Sequence, residues 1–110
     1  MRPTDIGRIL KFRSDPLEKT LERWFRTRVA KLGGVAYKFT SPGSVSVPDR
    51  VVLFPGGVIF FVELKRLGKK LTPKQAVEHE KIKSLGFRVY TCDSKDALNT
   101  ILDTELSNLF

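Results

Sequence analysis

Two acidic residues and a lysine stand at the ends of two neighbouring predicted strands. Pro48-Asp49 begins the first of these strands, and Glu63-Leu64-Lys65 ends the second. Two carboxylates held roughly 5 Å apart on a sheet repel each other, and burying them is costly unless a cation lies between them. A divalent metal held by Asp49, Glu63 and a backbone carbonyl would supply that cation, and all-oxygen ligands suit Mg²⁺ or Mn²⁺. A metal beside Lys65 has the parts that phosphodiester hydrolysis needs, because it polarises the phosphoryl group while the lysine stabilises the transition state.

The turn between the two strands decides whether both acids share a face. Side chains alternate along a strand, so Glu63 and Lys65 point to the same side. A three-residue loop, Pro55–Gly57, places Asp49 directly opposite Glu63, whereas a two-residue glycine turn places it on the other face. Proline suits the first central position of a type I turn, and Gly57 can supply the left-handed residue of a bulge. The sequence therefore favours the register that joins the two acids.

The elements that position these residues follow from hydrophobic periodicity and from Gly and Pro breaks. The pattern first predicts a helix that is capped at Ser14 or Asp15 and ended by Gly33-Gly34, and then a half-buried strand in which Val35, Tyr37 and Phe39 alternate with polar or small residues. Two further strands follow, Arg50–Phe54 and Val58–Leu64. The last three predicted elements are a helix that begins at Thr72 and ends at Gly86, a strand Phe87–Cys92, and a helix from residue 94 to about 106. A right-handed crossover makes the fourth strand parallel to the third. The predicted fold class is α/β, a mixed four-stranded sheet flanked by helices in the order αβββαβα. Residues 1–14 are predicted to form a basic N-terminal arm, and residues 15–110 one domain.

Charge and composition narrow the class of protein. The chain has 20 Lys+Arg against 12 Asp+Glu, a net charge of +8 and a pI near 9.9. Such an excess indicates a polyanionic partner, most often nucleic acid and sometimes an anionic membrane surface; the alternative is a basic protein with no special partner. Cys92 is the only cysteine, which excludes an intramolecular disulfide. The longest apolar run, Val58–Val62, is far too short to span a bilayer, so we expect a cytoplasmic protein.

Each candidate residue also has an ordinary structural interpretation. An acid and a lysine at a strand end are usually solvated charges, and Asp49 after a proline is commonly a turn residue. Glu18 can be an exposed helix charge, Gln75 half of a capping box with Thr72, and His79 a surface residue on the second helix. The functional interpretation gains weight because one plausible register brings the two acids and the lysine together.

At these residues the sequence resembles the PD-(D/E)xK signature of restriction-endonuclease-like nucleases. The surrounding sequence is more similar still to the virus-type replication-repair nuclease (VRR-NUC) domain. The matching segments are Gly33-Gly34, Lys38-Phe39, Ser41-Pro42-Gly43, Val47-Pro48-Asp49-Arg50, Gly57, Phe61-Val62-Glu63-Leu64-Lys65, Leu71-Thr72-Pro73-Lys74-Gln75 and Leu85-Gly86-Phe87-Arg88-Val89-Tyr90. They extend in order over roughly Leu17 to Asp93, so the resemblance implies a restriction-endonuclease-like core.

The resemblance also implies roles for residues at the matching positions. Asp49 and Glu63, with the main-chain carbonyl of Leu64, would bind Mg²⁺ or Mn²⁺. Lys65 would orient or help to deprotonate the attacking water and would stabilise the transition state.

Further residues are predicted to border this site. Glu18 matches the family's acidic residue on the first helix, which supports a metal or its water shell. Gln75 matches the glutamine at the start of the next helix, although capping accounts for it equally well. Polar and basic side chains that flank the site in sequence are the candidate DNA contacts: Lys38, Ser44, Arg66, Lys69, Lys70 and Lys74.

The leading hypothesis is a metal-dependent DNA endonuclease. The resemblance suggests branched DNA as substrate and, for short members, a homodimer resembling Holliday junction resolvases; the C-terminal Leu106-Ser107-Asn108-Leu109-Phe110 could add to an interface. One alternative is a nucleic-acid-binding module that does not cleave, which would gain nothing from two acids near phosphates. Another is a nicking or restriction-type nuclease, for whose recognition elements 110 residues leave little room.

Overall fold

The computed structural model describes residues 18–107 of the chain. The predicted basic arm at residues 1–14, the start of the first helix and residues 108–110 lie outside the described residues. The described elements are α1 (residues 18–31), β1 (Val35–Lys38), β2 (Arg50–Phe54), β3 (Val58–Leu64), α2 (Pro73–Ser84), β4 (Arg88–Cys92) and α3 (Lys95–Leu106). No helix in this range has both the length and the apolar character needed to cross a membrane.

The four strands form one mixed sheet in the order β1-β2-β3-β4. The first three strands run antiparallel to their neighbours, and β4 lies parallel to β3. Helix α2 connects these two parallel strands, as a crossover requires. The predicted fold class and element order are therefore confirmed.

One face of the sheet carries the hydrophobic core and is covered by α1 and α3. Phe25 of α1, Phe60 of β3 and Leu98 of α3 are fully buried. They belong to one cluster of buried residues: Leu21, Phe25, Val29, Val52, Phe54, Phe60, Val62, Leu64, Cys92, Leu98, Ile101, Leu102 and Leu106. The apolar residues Leu21, Phe25 and Val29, which recur at helical spacing along α1, thus face the core. Because Leu106 is part of that core, it does not contribute to an exposed patch.

Helix α1 ends at the two predicted glycines. The Gly34 N–H donates to the Val29 carbonyl at 2.9 Å and the Gly33 N–H to the Ala30 carbonyl at 3.1 Å, which is the Schellman pattern, and Gly33 has φ 95°. Gly34 is needed for a second reason. A Cβ at this position would lie 2.6 Å from the Leu53 carbonyl oxygen and 2.6 Å from the Phe54 ring. The chain can therefore turn from α1 into β1 against β2 only with glycine here.

The opposite face of the sheet is only partly covered. Helix α2 packs over the β3–β4 half, and nothing among residues 18–107 covers the β1–β2 half in the same way. Val35 and Tyr37 are consequently 44% and 56% exposed, while Ala36 packs against the core. The prediction that Val35 and Tyr37 form the buried side of β1 was wrong, because both α1 and α3 lie on the Ala36 side.

The β2–β3 hairpin has the predicted three-residue loop. Phe54 pairs with Val58 and Arg50 with Val62, so the register is the one that sets Asp49 opposite Glu63. The predicted type I turn is wrong, however. Gly56 has φ 84° and Gly57 has φ 79°. A positive φ at the second central position, after a proline at the first, is typical of type II.

Candidate active site

Asp49 is placed at the site by its own backbone position and by one hydrogen bond. The fully buried Pro48 fixes the chain just before β2, and the register continues so that Asp49 faces Glu63. The Asp49 carboxylate accepts a hydrogen bond from the Leu64 N–H, with 2.9 Å between Oδ2 and N. Asp49 is therefore held against the end of β3, on the face that carries Glu63.

Glu63 is buried rather than solvated, with only 5% of its side chain exposed. The pKa of Glu63 is raised to about 8, mainly by burial and in addition by repulsion from Asp49 and a side-chain hydrogen bond with Asp49. Lys65 opposes this shift. Without a cation beside it, the ionised form of Glu63 is therefore disfavoured. The interpretation of Glu63 as an ordinary solvated strand-end charge is excluded by its burial.

Lys65 lies on the same face, as the alternation along β3 predicts. Its Nζ is 3.9 Å from Glu63 Oε2, and its side chain is 17% exposed. The Lys65 N–H donates to the Cys92 carbonyl at 2.8 Å, which keeps the end of β3 attached to β4. The structure thus brings Asp49, Glu63 and Lys65 together at one end of the sheet.

Glu18 and Gln75 border this group in different ways. Glu18 is half-buried on α1, and its negative charge contributes to the raised pKa of Glu63, so the two carboxylates are neighbours. Gln75 completes the capping box at the start of α2: its Oε1 accepts from the Thr72 N–H at 3.0 Å, and its N–H donates to Thr72 Oγ1 at 3.1 Å. The structural interpretation of Gln75 is confirmed, and its role beside the site stays a prediction.

His79 was missed by the sequence analysis, where its interpretation as a surface residue was wrong. Its side chain is 2% exposed, and its Nε2 lies 3.6 Å from Glu63 Oε1. It is the only buried residue of α2. A signal was present in the sequence: Gln75, His79 and Ile82 recur at i, i+4 and i+7, which is the spacing of one helix face.

The chain is similar in sequence and in structure to known proteins. A phage protein named "Putative nuclease p44", from Acyrthosiphon pisum secondary endosymbiont phage 1, is 48% identical over 85 residues, which cover 77% of this chain and 90% of that protein. A solved structure described as a VRR_NUC domain superposes with a TM-score of 0.73 at 31% identity, over 78% of this chain and 94% of the other. No family model matches the chain.

The chain belongs to the VRR-NUC family of nucleases. Its described part contains the compact α/β core of the similar structure, so the resemblance noted from the sequence is confirmed at the level of family and fold.

The predicted DNA contacts of this VRR-NUC domain do not all lie together. Ser44 and Lys74 line one groove of about 380 Å³ between the 41–49 loop and the start of α2, together with Ser46, Pro73, Val77 and Glu78. Arg66, Lys69 and Lys70 follow β3 in the loop that leads to α2. Lys38 pairs with Arg50 across β1 and β2, so its side chain starts on the face opposite Glu63. Ser44 and Lys74 therefore share one groove, whereas the side chain of Lys38 starts on the other face of the sheet.

The side chains present are compatible with a metal in the VRR-NUC site. Within residues 18–107, no three His, Cys, Asp or Glu side chains are grouped so that they could hold a metal. Two carboxylates are available, from Asp49 and Glu63, and Glu63 Oε1 is buried without a hydrogen-bond partner in the described part of the chain. A cation between these carboxylates would remove the repulsion that raises the pKa of Glu63. These side chains therefore suit a cation that binds two carboxylates and completes its coordination shell with carbonyl and water oxygens, as Mg²⁺ and Mn²⁺ do.

Proposed function

We propose that this VRR-NUC domain is a divalent-metal-dependent endonuclease that hydrolyses DNA phosphodiester bonds. The observation that carries the proposal is the pair of neighbouring carboxylates at the end of the sheet, the half-buried Asp49 and the buried Glu63, with Lys65 beside them. A domain that only bound DNA would be better served without two acids there, since they repel phosphate. The +8 charge of the chain supports a polyanionic substrate.

The residues of the site would divide the chemistry among them. Asp49, Glu63 and the main-chain carbonyl of Leu64 would hold Mg²⁺ or Mn²⁺. Bound there, the metal polarises the phosphoryl group and lowers the pKa of water. Lys65, beside Glu63 Oε2, would orient the attacking water and stabilise the negative charge that develops on the phosphate oxygens. Glu18 would support the water shell of the metal from α1.

The groove beside the site would guide the DNA backbone. Its walls carry hydroxyl groups and a lysine, at Ser44, Ser46 and Lys74, which are donors suited to phosphate oxygens. The loop between β3 and α2 adds positive charge with Arg66, Lys69 and Lys70. Backbone contacts of this kind hold a phosphodiester near the metal without selecting a sequence.

We further propose that the active unit is a homodimer that acts on branched DNA. One domain holds one site and cuts one strand, whereas a two-fold dimer supplies two sites related by symmetry. The β1–β2 half of the sheet face offers an apolar surface for such contact, because Val35 and Tyr37 are exposed and Val51 and Leu53 are half-buried. A patch of this kind is typical of interaction surfaces.

The direct test of the function is a cleavage assay on a panel of DNA substrates. Duplex, flap, splayed and four-way junction DNA would each be incubated with the purified protein in Mg²⁺, Mn²⁺ or EDTA. The proposal predicts cleavage with either metal, none with EDTA, and the fastest cleavage on the branched substrates. Binding without cleavage in every condition would establish the binding-module alternative, and sequence-dependent cuts in linear duplex would establish a nicking or restriction-type enzyme.

The dimer has a separate test in light scattering. The wild-type protein should have twice the monomer mass, and Tyr37→Glu should shift it to the monomer by placing a charge in the apolar face. Leu85→Glu is the matched control, because Leu85 is 71% exposed at the end of α2 and is not part of the strand residues that form the apolar surface. A wild-type monomer, with and without junction DNA, would contradict the dimer and leave a simple nuclease.

A further inference from the structure

Two buried polar atoms face each other where α2 crosses β3. His79 Nε2 and Glu63 Oε1 are 3.6 Å apart, and their side chains are only 2% and 5% exposed. Neither atom has a hydrogen-bond partner among the described residues. Buried polar groups are nearly always paired, so two unpaired ones at the same point indicate a contact that belongs to the working state of the site.

The two oxygens of Glu63 are in different surroundings. Oε1 faces His79, whereas Oε2 lies 3.9 Å from Lys65 Nζ. A carboxylate that is free to rotate would offer either oxygen to a cation. A group that engages Oε1 alone would remove this freedom and would leave Oε2 beside Lys65 and Asp49.

His79 is suited to engage Oε1 as a hydrogen-bond donor. An imidazole with a proton on Nε2 presents that N–H to Oε1, because Nε2 faces this oxygen. The separation of 3.6 Å exceeds the usual hydrogen-bond range of about 2.7–3.2 Å by little, so a small side-chain movement closes it.

We propose that His79 is a positioning residue for Glu63, whose Nε2–H donates to Oε1 and so presents Oε2 to the catalytic metal. This inference rests on the proposed metal-dependent function. His79 is not assigned as a third metal ligand, because residues 18–107 contain no grouping of three His, Cys, Asp or Glu side chains that could hold a metal. Hydrogen bonds from outer groups to ligating carboxylates fix ligand orientation in metal sites generally.

The same contact ties α2 to the site. His79 is the only buried residue of this helix, whose other side chains are mainly polar or charged. The start of α2 carries Lys74 and forms one wall of the groove that Ser44 and Ser46 also line. His79 therefore links the orientation of a metal-binding carboxylate to the position of a wall that the DNA would contact.

The test measures Mn²⁺ binding directly, through the electron paramagnetic resonance signal of free Mn²⁺, with no DNA present. His79→Gln places an amide N–H near the position of Nε2, whereas the shorter His79→Asn does not reach Oε1. His79→Asn is expected to weaken Mn²⁺ binding about 10–100-fold, and His79→Gln to retain most of the wild-type affinity. Ile82→Ala is the packing control, since Ile82 is half-buried on the same helix and has no polar side-chain atom; it should bind Mn²⁺ like the wild type.

The Glu63→Gln background separates positioning from general damage. If His79 acts through Glu63, His79→Asn should cause no further loss of Mn²⁺ affinity when Glu63 is already glutamine. Thermal melting of every variant confirms that the folded protein is compared. Equal affinities for folded His79→Asn and wild type would overturn the inference alone, as would equal losses in His79→Asn, His79→Gln and Ile82→Ala. A wild-type protein that neither binds Mn²⁺ nor differs from Glu63→Gln would overturn the proposed function together with it.

Discussion

The surroundings of Glu63 in the fold disfavour its ionised form when no metal is bound. Burial and the neighbouring Asp49 raise its pKa from 4.5 to about 8. The cost of holding this carboxylate is therefore offset in one of two ways, by a proton or by a cation. Carboxylates with a pKa raised in this way are typical of functional sites, which agrees with the proposed role of Glu63.

The raised pKa has a consequence for stability in EDTA. Because the folded state binds the Glu63 proton more tightly than the unfolded state, the contribution of Glu63 to stability is complete below pH 4.5 and is lost as pH rises towards about 8. The free energy of unfolding of the wild type, measured in urea across this range, should therefore fall relative to that of Glu63→Gln, which has no proton to lose. Parallel curves for the two proteins would show that the pKa of Glu63 is not raised.

At the residue scale, the sequence was sufficient to predict that Asp49, Glu63 and Lys65 share one face, and insufficient to predict the burial of His79. The positions of the first three residues follow from the alternation of side chains along β3 and from the register of one hairpin. The burial of His79 depends on where α2 lies across the sheet, and a helix as polar as α2 gives a weak signal of which side faces inward. The burial of His79 is therefore determined by tertiary packing.

At the scale of elements, the close approach of α1 to β2 can be tested at one glycine. Gly34→Ala would place a Cβ 2.6 Å from the Leu53 carbonyl oxygen, where backbone must shift. Overpacking of this kind typically costs about 1–3 kcal/mol. We expect Gly34→Ala to lower the free energy of unfolding in urea by that amount. Gly43→Ala is the control, since a Cβ at Gly43 meets nothing within 4 Å, and it should cause no loss. Equal stability of the two variants would contradict the described contact.

Element order and strand pairing were predictable because their signals are local. Pro55-Gly56-Gly57 specifies the loop length, and the loop length specifies the register. The turn type and the buried side of β1 were not predictable in the same way. Both glycines can take a positive φ, so residue type does not distinguish type I from type II, and the exposure of Val35 and Tyr37 depends on which face α1 and α3 cover.

At the scale of the whole molecule, the charge of +8 predicts DNA binding that weakens steeply with salt. Each neutralised phosphate contributes about −0.9 to the slope of log affinity against log salt. In EDTA, where no cleavage is expected, Lys74→Ala should reduce the magnitude of this slope by about that amount, because Lys74 lines the groove. Lys31→Ala, at the far end of α1, should leave it unchanged. A flat response in the wild type would indicate a partner other than nucleic acid.

The rate of DNA cleavage in Mn²⁺ is the most direct test of the proposal that Asp49, Glu63 and Lys65 form one metal-dependent cleavage site. Wild type, Glu63→Gln, Lys65→Ala and the control Glu80→Gln would be compared on the same DNA, with EDTA as the blank. Glu80 is a suitable control because it lies on the surface of α2 with 73% of its side chain exposed. We expect Glu63→Gln and Lys65→Ala to stay folded and to bind DNA, but to cleave it about 10²-fold or more slowly. Glu80→Gln should cleave DNA like the wild type. Cleavage by either site variant at close to the wild-type rate, or wild-type cleavage that persists in EDTA, would contradict the proposal.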